Sequence, residues 1–121
     1  MSRRLIQSTG VLLVILAKAG AFGHTMLESA EPGAGAELTV APAAIVLHFG
    51  SSLESASCRI MVKDALGNRI VTGPLRNDAQ SQTSLRVSLP PLTPGRYRVS
   101  WLAVGRDGHR TNGAYVFTFK P

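Results

Sequence analysis

The chain has 121 residues, 13 Lys/Arg against seven Asp/Glu for a formal charge of +6, 45% hydrophobic residues and one cysteine. This length supports one small domain and not two, and a lone cysteine excludes an intramolecular disulfide framework. Part of the positive charge lies in the first 23 residues, MSRRLIQSTGVLLVILAKAGAFG, where Arg3 and Arg4 precede the apolar stretch 11–17 and small residues follow it. That is the order of an export signal, and the apolar stretch is far shorter than the roughly 20 residues a membrane-spanning helix needs. Ala21 and Gly23 precede His24 in a small-x-small pattern, so the expected cut follows Gly23, with residues 1–23 a cleaved signal and 24–121 the working domain. An uncleaved N-terminal anchor is the alternative. SRRLI also fits a twin-arginine motif, so the chain is expected outside the cytoplasm by either the general secretory or the twin-arginine route.

Without residues 1–23, ten Lys/Arg stand against seven Asp/Glu, a net +3. The arginines are spread singly along the sequence, with no run that would track phosphates, so no nucleic-acid partner is expected. A monomer is the expected state.

The rest reads as strands and turns without a helix. A strand from TMLES (25–29) is followed by EPGAGAE (31–37), a surface loop with no helix behind it to make a phosphate site. AIVLHF (44–49), SCRIMV (57–62), NRIVT (68–72), SLRVSL (84–89), RYRVSWLAV (96–104) and AYVFTF (114–119) are short and rich in β-branched and aromatic residues. Leu85, Val87 and Leu89 alternate with Arg86 and Ser88, and Tyr97, Val99 and Trp101 alternate with Arg96, Arg98 and Ser100. Each such strand has one face in a core and one in water. Cys58 shares the parity of Ile60 and Val62 and reads as a small core hydrophobe. DALGN (64–68) predicts a hairpin turn, and TPG (93–95) a type II turn. About seven strands in one small domain predict an all-β fold, an antiparallel Greek-key β-sandwich of two sheets.

Function must come from sites, because a sandwich names none. Asp107 and His109 stand two apart in GRDGHRTNG (105–113), a polar glycine-rich loop between the last two long strands, with only Gly108 between them. Taken alone they are a solvated loop pair. If His24 becomes residue one, its α-amino group and ring Nδ1 can chelate one metal ion. With an Asp107 carboxylate oxygen and the His109 imidazole the donors are three nitrogens and one oxygen, a set suited to the tetragonal preference of Cu(II). Zinc favours a tetrahedral set and gains little from that chelate. Binding through an amine and imidazoles releases protons.

The residues from His24 onward resemble the CopC/PcoC family of periplasmic copper-binding, copper-resistance proteins over nearly the whole length. The resemblance lies in His24 at the cleavage site, SAEPGAGAEL (29–38), APAAIVLHF (41–49), LPPLTPGRYRVSW (89–101), DGH (107–109) and GAYVFTF (113–119). It implies an immunoglobulin-like or cupredoxin-like sandwich that holds one Cu(II) through His24, Asp107 and His109. It also implies a role in copper resistance or homeostasis, sequestering copper or delivering it, with an inner-membrane copper transporter of the CopD type as a partner.

The chain departs from members that hold Cu(I) on a methionine-rich loop. Only Met26 and Met61 follow the signal, on separate segments, so a Cu(I) site is not expected. His48 alternates with Leu47 and Phe49 and reads as a surface histidine, and Met61 shares a face with Arg59 and Lys63. Arg110 stands where family members often carry proline. The expected protein is not an enzyme. The alternatives are a secreted histidine-brace copper monooxygenase and a metal-free secreted sandwich domain. A blue-copper centre is excluded because Cys58 is far in sequence from His109.

Overall fold

A computed structural model describes residues 25–121. The elements in chain order are β1 (Leu27–Glu31), β2 (Glu37–Leu38), β3 (Ala44–Phe49), β4 (Arg59–Asp64), β5 (Arg69–Ile70), β6 (Arg76–Asn77), β7 (Ser84–Ser88), β8 (Gly95–Val104) and β9 (Arg110–Phe119), with two short 3₁₀ turns at Ser55–Ser57 and Asp78–Gln80. The expected all-β sandwich is what forms. One sheet has the order β1-β3-β7-β6, the other β2-β9-β8-β4-β5, and the chain passes repeatedly between them. All pairings are antiparallel except β2 with β9, which is parallel.

Alternation decides which side chains meet between the sheets. Ile45, Leu47 and Phe49 of β3 and Leu85 and Val87 of β7 face Ile60 and Val62 of β4, Tyr97, Val99 and Ala103 of β8, and Tyr115 and Phe117 of β9. The seven largest fully buried side chains of this core, Phe117, Ile45 and Leu47 among them, are essentially inaccessible to solvent. Each contributes roughly 1.5–3 kcal/mol by leaving water. Tyr97 and Phe117 stack with ring centroids 5.5 Å apart, and Phe49 meets Trp101 edge-on at 6.4 Å. Trp101 also lies flat on Gly113, its cross-strand partner, where a Cβ would fall 2.2 Å from the indole ring.

Asp64 builds the predicted DALGN hairpin. Its Oδ1 accepts from the Leu66 and Asn68 amides at 3.0 and 2.8 Å, and Gly67 takes φ +85°. The TPG segment is not the expected type II turn. Gly95 opens β8 at φ +150°, away from the +80° or so of that turn, and the segment is held instead by the Tyr97 hydroxyl, which donates to the Thr93 carbonyl. A tyrosine tied to the backbone a few residues upstream is a recurrent corner of immunoglobulin-like sandwiches.

The segment expected as a loop over 105–113 is shorter. Arg110 to Gly113 already pair with Val104 to Trp101, so the loop proper is 105–109. Cys58 is buried as expected, its thiol donating to the Glu54 carbonyl at 3.3 Å, and burial pushes that thiol above its ordinary pKa. Among the described residues no helix is long and apolar enough to cross a membrane.

Candidate metal site at the Asp107–His109 hairpin

The two longest strands, β8 and β9, meet in a tight hairpin at one end of the sandwich. The Gly105 amide donates to the His109 carbonyl at 2.8 Å and the Gly108 amide to the Gly105 carbonyl at 2.9 Å. Gly108 sits at φ +90°, a conformation that side-chain-bearing residues rarely adopt. The hairpin is tied to the segment after β3. The Glu54 amide donates to Val104, the Arg106 amide to Ser52, and Leu53 bridges Gly105. The rigid part ends at the turn, and the side chains at its tip face water.

Within that tip the structure brings Asp107 and His109 together. Asp107 Oδ1 accepts from the His109 amide at 3.0 Å, and Oδ2 lies 2.7 Å from His109 Nδ1. These bonds, the backbone one first, hold the Asp107 carboxyl below the usual carboxylate range. The side chains are 53% and 62% exposed, so the pair contributes little to stability. Its effect is orientation. A carboxylate at Nδ1 makes that nitrogen the donor and leaves the Nε2 lone pair of neutral imidazole for a metal ion.

The start of the described chain converges on the same place. Thr25 is 3% exposed, its carbonyl accepts from Thr111 Oγ1 at 2.9 Å, and the next carbonyl, of Met26, accepts from the Gly50 amide at 3.2 Å. A Cβ placed on Gly105 would lie 2.8 Å from Asp107 Oδ1 and 3.1 Å from Thr25 Oγ1. Glycine at 105 therefore lets the hairpin backbone, the Asp107 side chain and the chain at residue 25 meet. His24 itself, and the signal and cleavage expectation on 1–23, lie outside the described residues. Among the described residues no three His, Cys, Asp or Glu side chains cluster as a metal site. Asp107 and His109 supply one carboxylate and one imidazole, donors that fit Cu(II) in kind and fall short of it in number.

The remaining candidates stand elsewhere. His48 lies on the outer face of the first sheet, with Nδ1 2.9 Å from Ser84 Oγ and Nε2 3.0 Å from Glu31 Oε1. It is a paired surface histidine rather than a bare one. Met61 is on the outer face of the other sheet, between Arg59 and Lys63 and opposite Ser100, while Met26 is exposed beside β1. Thr25, Thr111 and Gly105 carried no signal in the sequence, because a hydroxyl bond spanning 86 positions has no local signature.

Comparison with known proteins identifies the family. The CopC domain family profile matches residues 27–120. Protein YobA of Escherichia coli K12 is 33% identical over 98% of this chain and 97% of its own length. Copper resistance protein C of Pseudomonas syringae pv. tomato is 30% identical over 93% of this chain and 90% of its own. Among solved structures, CopC from Methylosinus trichosporium OB3b superposes with a TM-score of 0.75 at 32% identity, over 81% of this chain and 95% of that one. PcoC, a methionine-rich copper resistance protein from Escherichia coli, gives 0.72 at 28%, over 80% and 99%. With the family profile spanning nearly all of the sandwich and relatives matched from end to end, this chain belongs to the CopC family.

Proposed function

We propose that the protein is an exported, non-catalytic Cu(II) binder of the periplasm, cut after Gly23 and active as a monomer of residues 24–121. One Cu(II) is held by the α-amino group and ring of His24, an Asp107 carboxylate oxygen and His109, and is sequestered or passed to a membrane copper transporter of the CopD type. The observation that carries this reading is the burial of Thr25 against Gly105 and Thr111. Thr25 stands close to Asp107 at this end of the sandwich, and residue 24 precedes it by one peptide unit, about 3.8 Å between Cα atoms, so this reading puts the free amine within reach of the Asp107–His109 tip. The names of the relatives, copper resistance proteins among them, support copper as the cargo.

The chemistry follows from the donors. An amine and imidazoles with one carboxylate suit Cu(II), and a carboxylate adds anionic charge that favours the divalent over the monovalent ion. Asp107 lies on the Nδ1 side of the His109 ring, so for both residues to hold the same ion the Asp107–Nδ1 bond gives way to coordination, a local rearrangement at the exposed tip.

The test is titration of protein beginning at His24 with copper sulfate, followed by electron paramagnetic resonance. One equivalent of tetragonal Cu(II) with nitrogen couplings is expected, and His109→Ala removes one of those couplings. A spectrum unchanged in His109→Ala contradicts the assignment.

A further inference from the structure

We propose that the outer face of the five-stranded sheet is a docking surface for an extended, acidic segment of another protein, with one carboxylate seated between Lys63, Arg96 and Arg98. Six of the ten Lys/Arg in residues 24–121 stand there on outward positions, namely Arg59, Lys63, Arg69, Arg96, Arg98 and, at the hairpin end, Arg110. Register gathers what the sequence spreads singly, since Arg69 pairs with Lys63 and Lys63 with Arg98, a row of three positive charges across three strands.

Like charges placed directly opposite on a sheet are unfavourable, and this row has no internal remedy. Among the described residues the ion pairs are His48–Glu31, Arg86–Asp78 and His109–Asp107, and none involves this face. No outward position of β4, β5, β8 or β9 is acidic. Asp64 borders the row, but its carboxylate is taken up by the Leu66 and Asn68 amides and the Asn68 side chain. Glu37 stands at the far edge, beside Thr118 on β2. The opposite sheet has its outward histidine and Arg86 paired, so charge is separated between the two faces.

The relief of the face selects the partner. A hollow of about 330 Å³ lies among Lys63, Asp64, Arg96, Arg98 and Val116, three cations against the one carboxylate that the turn amides already engage. A second, of about 210 Å³, lies among Arg59, Met61, Ser100 and Leu102. Met61 and Ser100 are two residues along their strands from Lys63 and Arg98, a step of about 6.8 Å, which is also the spacing of same-face side chains in an extended segment. An acidic residue and an apolar residue at positions i and i+2 of such a segment enter the two hollows together. Guanidinium forks match a carboxylate bidentately. A bilayer surface fits less well, because Met61, Leu102 and Val116 are half-buried within this face and the exposed Leu66 and Val71 stand only at its β4–β5 edge. Arg98 lies six residues from Val104 on β8, about 20 Å, and Leu102 of the second hollow two residues, about 7 Å, so the seated carboxylate is the part of a docked segment farthest from the candidate copper site.

The test uses the protein beginning at His24, labelled with ¹⁵N, and a capped hexapeptide in which glutamate, leucine and glutamate alternate with serine. Amide shifts confined to residues 59–64 and 95–100 are expected at moderate salt. Arg98→Glu is expected to weaken binding roughly fivefold or more, a size in keeping with an exposed charge pair, while copper uptake stays unchanged. Arg76→Glu, the same change of net charge on the other sheet, is expected to leave peptide binding within about twofold. Equal weakening by Arg76→Glu would reduce the effect to net charge and overturn the proposal. So would the absence of peptide shifts on this face, or shifts produced by phosphatidylglycerol vesicles and not by the peptide.

Discussion

Thr111→Val tests how residue 24 is presented. The substitution keeps the shape of the side chain and removes the hydroxyl that donates to the Thr25 carbonyl at 2.9 Å. Thr25 is buried, so its carbonyl loses a partner that water does not readily replace. An unmade bond of this kind costs about 1–2 kcal/mol. The bond anchors the residue next to the proposed chelate, so the loss is expected in Cu(II) affinity as a weakening of roughly 5- to 30-fold. Stoichiometry stays at one, since no ligand is removed. The assay is competition against a chelator of known affinity, read by quenching of Trp101, the single tryptophan, which lies on β8 below the hairpin. Thr111→Ser restores the donor and is expected to restore affinity. A Thr111→Val protein that binds copper within about twofold of wild type, or a serine variant as weak as the valine one, refutes the anchoring argument.

Three further outcomes follow from the same structure. Gly113→Ala puts a Cβ 2.2 Å from the Trp101 ring, so the indole must move; overpacking of this kind costs about 1–3 kcal/mol, and a lower melting temperature with altered tryptophan emission is expected. Tyr115 has a buried hydroxyl without a partner among the described residues, and burial pushes its pKa up to about 12. Tyr115→Phe is therefore expected to leave stability unchanged or raise it by up to about 1 kcal/mol, and a loss larger than that in a denaturant melt contradicts the reading. The Asp64 carboxyl is held below the usual range, chiefly by the Asn68 amide, so its bonds stabilise the fold above the ordinary carboxylate pKa of about 3.9 and lose that effect as pH falls through the lowered value. Asp64→Ala is expected to be less stable than wild type at neutral pH and to converge with it in acid, which parallel melts across pH will show.

How much of this was legible depended on the range of each interaction. Alternation in SLRVSL and RYRVSWLAV predicted which side chains enter the core, because a strand's period is fixed by its own backbone. The two-residue strands Glu37–Leu38 and Arg76–Asn77 were not foreseen, since two positions carry no period and their pairing depends on neighbours far along the chain. TPG reads as a local turn, while the phenol of Tyr97 holds that corner. At the site, Asp107 and His109 were legible as a pair because only Gly108 separates them. The meeting of Thr25, Gly105 and Thr111 was not, since it depends on which end of the sandwich each segment reaches. The basic face has no local signature for the same reason, since Arg69, Lys63 and Arg98 become neighbours only through strand register.

The most direct test of the copper site compares two forms of one protein, one beginning at His24 and one carrying a single extra alanine before it. Both keep Asp107, His109 and the anchored Thr25, and they differ only in whether the His24 nitrogen is a free amine. Copper titration with electron paramagnetic resonance is expected to give one tight, tetragonal Cu(II) in the first form, and markedly weaker binding with a changed nitrogen coupling pattern in the second. Equal affinity and identical spectra would contradict the account.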